Sequence, residues 1–352
     1  MAADTKTLER ENRKSAAADL FVSCRTMTTL LLLVMFVWPA AASRTQVTNS
    51  PTRHVNRVIS LVPAVTEMLY AIGAGSRMVA VSSFDTYPPE VRKLPSVGAL
   101  LDPNIERILS LKPDLVIVFG SQADLKAQLA RAGIATFEYR DEGLADVTAV
   151  MRRLGERVGE PARAEQATAA IDRGLDEIRR KVSGRPRPLT LLVFGRERLA
   201  LRGIYASGGI GFLHDMLEVA GGANVFANVR MKAVQASTEQ ILTLRPEVIV
   251  ETRAANTAFP AGERQAEIDV WKTLASVPAV RTGRVYFLFD DRIVIPGPRI
   301  VEGTLALAKA LHPDVFGAAE AERATKRGRS AGRLSEAPEG TRREAAGAER
   351  QQ

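Results

Sequence analysis

The chain has 352 residues, of which 46% are hydrophobic and 25% charged, and its formal net charge is +8. This length accommodates two domains, and the apolar content is sufficient to form a core in each. The positive charge is diffuse, since residues 51–316 carry 34 basic and 30 acidic side chains without a Lys/Arg run among aromatics, which argues against nucleic-acid binding.

The first forty-two residues have the pattern of a secretory signal peptide. A basic stretch precedes an apolar run at 27–38, and small residues follow up to Ala42. The apolar run is too short for a comfortable membrane span. We expect translation to begin at Met1 or Met27, cleavage near Ala42, a linker over 43–56 and export to the periplasm.

Strands and helices alternate in the next hundred residues. Short apolar runs predict strands at 57–61, 78–82, 115–119 and 135–139. Helical patterns between them end at glycines, as at Gly73 and Gly133. This alternation is typical of a parallel sheet with crossover helices, and it predicts an N-terminal α/β lobe over 57–150.

A helical spacer follows the first predicted lobe. No strand pattern appears from 144 to 182, and Pro161 suits the first turn of a helix. Residues 162–182 contain no helix breaker except Gly174. We therefore predict one long helix within a spacer over 151–187.

The strand pattern then resumes. Apolar runs at 189–194 and 284–289 predict strands, and 300–311 predicts a closing helix. These elements define a C-terminal α/β lobe over 188–316. Residues 317–352 contain few large apolar side chains and are expected to form a disordered tail.

One segment of the chain occurs twice. Residues 106–117 read ERILSLKPDLVI and residues 239–250 read EQILTLRPEVIV. The offset, 239 − 106 = 133, is a domain length, so each of two lobes uses the same local architecture once. In each copy a short helix ends at Pro113 or Pro246 and a buried strand follows. A two-lobed α/β chain favours a ligand site in the cleft between its lobes.

Each copy of the repeat carries a carboxylate in the first turn of its helix. The residues are Glu106 and Glu239, at a place where the helix dipole favours negative charge. Ser237 and Gln240 have the spacing of a capping box. From the residues alone, both glutamates are explained as helix stabilisers.

Catalytic and metal-binding patterns are absent from the sequence. The three histidines, His54, His214 and His312, are too far apart in the chain to share a helical turn, and there is no G-x-S-x-G or H-E-x-x-H motif. The only cysteine, Cys24, precedes the apolar run, which argues against a lipoprotein signal and leaves the expected exported chain without thiols. The glycines at 208–211 predict a tight turn against a closely packed helix rather than a phosphate loop.

Binding is the chemistry that remains. In α/β sheets, ligands lie beyond the carboxyl ends of the strands. The loops predicted at this edge mix apolar, aromatic and ionic side chains, which suits a bulky ligand with a few polar groups. The candidate ligand-binding residues are Pro63, Ala64, Asp85, Tyr87, Leu100, Phe194, Asp291 and Arg292.

Four segments, taken together and in order, resemble the periplasmic binding proteins of ABC importers for iron chelates, haem and cobalamin. They are SLVPAVTEMLYAIG (60–73), FDTYPPE (84–90), VGALLDPNIERILSLKPDLVI (97–117) and PGPRI (296–300). The T-E, Y-P-P and NIERILSLKPDLVI elements resemble the cobalamin-binding members most. The resemblance covers roughly residues 55–315. It implies two Rossmann-like lobes joined by a single long α-helix, a ligand cleft between the lobes, little hinge motion and no enzymatic activity.

The resemblance also gives the repeated carboxylates a second interpretation. In this family an acidic side chain on each lobe docks onto arginines of the membrane permease, and Glu106 and Glu239 match those two positions. It therefore implies a monomeric periplasmic receptor, without a cofactor, that delivers cobalamin to an ABC importer permease in the inner membrane.

Three alternatives remain open from the sequence. A cell-envelope interaction protein with a vestigial cleft would bind the permease but no ligand. A ferric-siderophore or haem receptor of the same family would use Tyr87 as a ligand of haem iron, or would pair Arg196, Arg292 or Arg299 with an anionic siderophore. An exported α/β hydrolase would use the same cleft for turnover. Trp271 is the only tryptophan after the signal peptide, and its distance from the cleft is not fixed by the sequence.

Overall fold

A computed structural model of the chain describes residues 55–254 and 263–317. The predicted signal peptide, the linker up to residue 54 and the tail beyond residue 317 lie outside the described residues. None of the helices that the structure describes is both long and apolar enough to cross a membrane.

The strands are β1 (Val58–Ser60), β2 (Met78–Val81), β3 (Leu115–Phe119), β4 (Ala135–Tyr139), β5 (Leu189–Gly195), β6 (Ile204–Ser207), β7 (Ala223–Asn224), β8 (Ala233–Ala236), β9 (Val248–Arg253) and β10 (Val285–Phe289). The helices are α1 (Pro63–Ala71), α2 (Ile105–Ser110), α3 (Ala123–Arg131), α4 (Leu144–Val158), α5 (Pro161–Val182), α6 (Phe212–Val219), α7 (Thr238–Leu244), α8 (Glu263–Asp269), α9 (Pro278–Arg281), α10 (Asp291–Val294), α11 (Ile300–Leu311) and α12 (Pro313–Phe316).

The first half of the chain forms a four-stranded sheet in the order β2-β1-β3-β4. All of its strand pairs are parallel, as the alternation of strands and helices predicts. Four of the five residues of β3 are fully buried, which explains its continuous apolar sequence.

The second half forms a six-stranded mixed sheet. The path is β10-β9-β5-β6-β8, and β7 pairs with β5. The three strands β10, β9 and β5 run parallel, whereas β6 and β8 run antiparallel to their neighbours. The strands β6 and β8 were not predicted, because their four-residue sequences, IYAS and AVQA, lack a distinctive apolar run.

A single hydrophobic cluster joins the two sheets. It contains Leu115 and Ile117 from β3 of the first sheet together with Leu192 and Val248 from the second, and it includes the apolar faces of α1, α4, α5, α6 and α11. A separate cluster covers the other face of each sheet. The two lobes therefore share a helical layer, and they do not have fully separate cores.

The segment between the sheets folds as two helices. The predicted long helix is α5, with 22 residues and a proline in its first turn. It is preceded by α4, which ends at Gly159 with a left-handed φ of 75°. Gly174, the exception in the predicted helix, lies where α11 crosses, because a Cβ atom there would lie 2.6 Å from Val301 Cγ1. Glycine lowers the intrinsic stability of α5 at this position, but it allows α11 to pack closely against α5.

His312, at the end of α11, gives the stability of the protein a pH dependence. The residue is 4% exposed, and its Nε2 lies 3.3 Å from the carbonyl oxygen of Gly221. Burial lowers the pKa of His312 below its ordinary value. As the pH falls, His312 is therefore protonated in the unfolded chain before it is protonated in the folded chain. The free energy of unfolding falls with the pH as a result.

We expect the free energy of unfolding to decrease between about pH 7 and pH 5, and to decrease less in a His312→Gln variant. Urea unfolding at several pH values measures this difference. Equal slopes in the two proteins would exclude His312 as the cause.

Candidate functional site

The two copies of the repeat have the same helix starts. Asn104 caps α2, and its side chain accepts a hydrogen bond of 2.8 Å from the backbone N–H of Arg107. Ser237 caps α7 and forms the predicted capping box with Gln240, whose side chain accepts from the N–H of Ser237 at 3.0 Å. In both copies a polar side chain satisfies the free N–H groups of the first turn.

The two copies also have the same helix ends. Lys112 and Arg245, which are 133 residues apart, both adopt the left-handed conformation, with φ values of 47° and 49°. The strand of each copy, β3 or β9, then lies inside its sheet. The likeness between the copies therefore extends to individual backbone angles.

Glu106 and Glu239 lie in the first turns of α2 and α7, and both are exposed. Hydrogen bonds from its own backbone N–H and from the Ser237 side chain lower the pKa of Glu239. Neither glutamate forms an ion pair with a residue that the structure describes. Glu239 therefore stabilises its helix, and both glutamates face solvent.

The two halves of the protein meet at an ion pair. Glu67 of α1 accepts two hydrogen bonds from the guanidinium of Arg299, one of them 2.8 Å from Nε to Oε2. The Arg299 Cζ atom lies 3.9 Å from the centre of the Tyr87 ring. A residue of the second half is thus held between a carboxylate and an aromatic ring of the first half, at the edge of the sheets where a ligand is expected.

Acidic side chains surround this ion pair. Burial raises the pKa of Glu67, and the nearby carboxylates of Asp291 and Asp85 act in the same direction, whereas Arg299 opposes it. Burial also raises the pKa of Asp85, which accepts hydrogen bonds from the N–H and hydroxyl of Ser82 at 2.8 and 2.6 Å. The predicted residues Asp85, Tyr87 and Asp291 are therefore neighbours around the Glu67–Arg299 pair.

The contacts of the other predicted ligand residues lie elsewhere. Ala64 is 4% exposed and packs in the core, while Pro63, beside it at the start of α1, is partly buried. The backbone carbonyl of Leu100 accepts a hydrogen bond from the Gln122 side chain. Ala64 has too little exposed surface for a direct ligand contact in this conformation.

The remaining two predicted residues belong to the second half. The Phe194 ring packs against Tyr205, with ring centres 6.4 Å apart. Arg292 forms two hydrogen bonds with the carboxylate of Asp290, at 2.7 and 2.6 Å. Its charge is already balanced within the protein.

Two residues considered for ligand binding belong to a buried network instead. Arg196 is bound to Glu251 and lies 2.8 Å from Glu267 Oε2, and its side chain has no exposed surface. Trp271 is 1% exposed and donates a hydrogen bond of 3.0 Å to Glu251. The expectation that Arg196 could pair with a siderophore is therefore wrong, and Trp271 lies in the core of the second half.

Exposed apolar side chains are concentrated at the same edge. Single exposed apolar residues are normal on a protein surface, but a concentration of them marks an interaction site. Phe84, Tyr87 and Leu101 follow β2, Leu199 lies in the turn between β5 and β6, and Tyr205 lies in β6; each is between 41% and 93% exposed. Of these side chains, Tyr87 contacts Arg299 of the Glu67–Arg299 pair.

Two concavities of the described surface lie away from this edge. One runs along α5 between Ala170 and Arg180, and the other lies around Arg185 and His312 at the far end of the second half. Neither contains a candidate ligand residue. Among the described residues, no group of three or more His, Cys, Asp or Glu side chains could hold a metal ion.

Sequence reasoning missed Glu67 as a site residue. The sequence did contain a signal for this residue, because Glu67 belongs to the T-E element and Arg299 to the PGPRI segment, both of which carry the family resemblance. Their separation of 232 positions along the chain hid the pairing.

Comparisons with known proteins agree with this architecture. The family model described as periplasmic binding protein matches residues 58–291. An uncharacterized ABC transporter substrate-binding lipoprotein of Bacillus subtilis (strain 168) is 33% identical over 265 residues, covering 74% of this chain and 81% of the relative. A vitamin B12-binding protein of Yersinia pestis (strain Pestoides F) is 32% identical over 225 residues, covering 63% of this chain and 79% of the relative.

Among solved structures, the periplasmic heme-binding protein RhuT from Roseiflexus sp. RS-1 superimposes with a TM-score of 0.63 at 25% identity. The match covers 74% of this chain and 99% of that chain. The predicted α/β fold with two lobes is thus confirmed. The chain therefore belongs to the periplasmic binding protein family and is a substrate-binding protein, not an enzyme.

Proposed function

We propose that this protein is a periplasmic receptor that captures cobalamin and delivers it to the permease of an ABC importer in the inner membrane. The observation that carries the proposal is the junction at the edge of the two sheets, where Tyr87 and Arg299 stack beside exposed apolar side chains. A corrin needs an apolar platform with polar groups at its rim, and this surface has both. Sequence identity to the vitamin B12-binding relative favours cobalamin.

In this proposal the ligand contacts come from both halves. The Tyr87 ring, 41% exposed, supplies a stacking face, and Phe194 and Leu100 supply apolar contacts. Asp85 and Asp291 supply acceptors for polar substituents of the ligand. Pro63, Ala64 and Arg292 complete the predicted set, with Ala64 and Arg292 acting through packing and through the ion pair with Asp290.

The proposal includes docking and export. Glu106 and Glu239, each exposed on its own half, would fix the orientation of the receptor on a basic permease surface and speed their encounter. The signal peptide ending near Ala42 would direct a soluble monomer to the periplasm.

Haem is the second candidate ligand, because the heme-binding protein RhuT has the same fold at 25% identity. The two ligands require different chemistry from Tyr87. Cobalamin would stack on the ring, whereas haem iron would bind the phenolate oxygen.

Calorimetry of the mature protein, residues 43–352, with cyanocobalamin, haemin and a ferric tricatecholate tests the proposal. We expect saturable binding of cyanocobalamin. We expect Tyr87→Phe to keep that affinity and Tyr87→Ala to lower it about tenfold or more. Preference for haemin with loss of affinity in Tyr87→Phe would favour the haem receptor. Binding of none of the three, or turnover of an ester substrate, would contradict the proposed function.

A further inference from the structure

Two leucines are exposed at equivalent positions of the two halves. Leu109 on α2 is 38% exposed and Leu242 on α7 is 40% exposed, and 242 − 109 is again 133. The preceding residues, Ile108 and Ile241, are 0% and 1% exposed. These isoleucines fix each helix against its sheet, so the outward orientation of the leucines is set by the fold.

Each leucine shares a helix face with a glutamate. Glu106 and Leu109, like Glu239 and Leu242, are three residues apart, and residues at this spacing are neighbours on a helix. We call each pair a Glu–Leu couple. The fold thus presents the same acidic and apolar combination twice, once on each half.

A single exposed leucine needs no explanation. Here an exposed leucine recurs at the same backbone position, beside the same charge and with nearly the same exposure. This recurrence needs an explanation, because solvated positions of a short helix favour polar side chains. A partner that fits both couples must offer an apolar contact next to a cation at two places. Under the proposed function, on which this inference rests, that partner is the periplasmic face of the importer permease.

We infer that Leu109 and Leu242 form the apolar centres of two permease-docking patches, with Glu106 and Glu239 at their charged rims. The two kinds of residue have separate kinetic roles. Charges at a rim act over distance and set the association rate, whereas apolar side chains are desolvated only in the complex and set the dissociation rate.

The test measures binding of the receptor to the cobalamin ABC importer of the source bacterium, held in lipid nanodiscs on a biosensor. We expect Leu109→Ser with Leu242→Ser to raise the dissociation rate about tenfold, and to change the association rate less than about twofold. The matched control, Leu109→Met with Leu242→Met, keeps the apolar contact and should behave as wild type. Glu106→Gln with Glu239→Gln should slow association and weaken its salt dependence.

Thermal unfolding and ligand affinity establish that each variant is folded. If serine lowers stability, Leu109→Gln with Leu242→Gln replaces it, because glutamine keeps the length of the side chain. Wild-type dissociation in the serine or glutamine variant, together with weaker binding in the glutamate variant, would overturn this inference and leave the proposed function intact. Absence of binding by the loaded wild-type receptor would overturn the proposed function itself.

Discussion

Replacing Glu251 with glutamine should lower the free energy of unfolding by about 3–5 kcal/mol, the usual effect of removing one partner from a buried ion pair. Glu251 accepts hydrogen bonds from Arg196 Nε at 2.9 Å, from Trp271 Nε1 at 3.0 Å and from the guanidinium of Arg253 at 2.8 Å. The Glu251 and Arg196 side chains have no exposed surface. Glutamine would remove one of the two carboxylates that balance the buried Arg196 guanidinium, and would direct an amide N–H₂ group towards other donors.

The control for this prediction is Trp271→Phe. It removes one neutral donor, leaves every charge in place and should cost about 1 kcal/mol for the lost hydrogen bond, in addition to the reduced packing. Urea unfolding at neutral pH, followed by circular dichroism, measures both variants. A loss from Glu251→Gln no larger than that from Trp271→Phe would show that the network contributes little to stability.

The second large effect is expected at the junction of the two halves. Glu67→Gln should lower the free energy of unfolding by about 1–3 kcal/mol, because the amide offers the Arg299 guanidinium one acceptor oxygen instead of two and turns an N–H₂ group towards its donors. The loss is smaller than in the buried network, since the Arg299 side chain is 19% exposed and can reach water. It should also reduce ligand affinity, because Arg299 would leave its place over Tyr87.

The matched variant is Glu67→Leu combined with Arg299→Met. Removing both charges together should recover most of the lost stability, because neither charge is then left alone in the interior. Ligand affinity should stay low in this variant, which separates the structural role of the pair from its role at the ligand surface. Independent, additive costs of the two substitutions would contradict the coupling of Glu67 with Arg299.

The pH dependence of Glu67 has a defined sign. Burial raises the pKa of this carboxyl above 4.5, so the folded protein binds its proton more readily than the unfolded chain does. Its contribution to stability is therefore present below that ordinary value and is lost as the pH rises through the raised pKa. Glu67→Gln should abolish this contribution, which acid titration of the unfolding free energy can detect.

Local features of the fold were predictable from the sequence. The two copies of the repeat, their capping residues and the strands that follow depend on neighbours within about one helical turn, where sequence signals are strongest. The closing helix at Ile300–Leu311 has the predicted bounds. The strands β6 and β8 escaped prediction because their short sequences lack a distinctive apolar run and their stability comes from pairing with neighbouring strands.

Long-range pairing explains the errors at the site. Arg196 follows a strand and looks available in the sequence, yet its partners, Glu251 and Glu267, lie 55 and 71 residues further along the chain. The same holds for Trp271, whose indole N–H binds Glu251. A charged residue near a strand end can bind a ligand or form an ion pair inside the protein, and only the three-dimensional structure distinguishes these two roles.

The hydrophobic layer shared by the two sheets restricts movement of the two halves relative to each other. Moving the sheets apart would expose the apolar faces of α4, α5 and α11, at a cost of about 25 cal/mol for each Å² of apolar surface. Under the proposed function, we expect capture to proceed without a clamshell motion and to spend little binding energy on reorganisation. A fluorescent biosensor built on this scaffold has to detect its cargo through a dye beside Tyr87, since dyes on opposite halves would keep a constant separation.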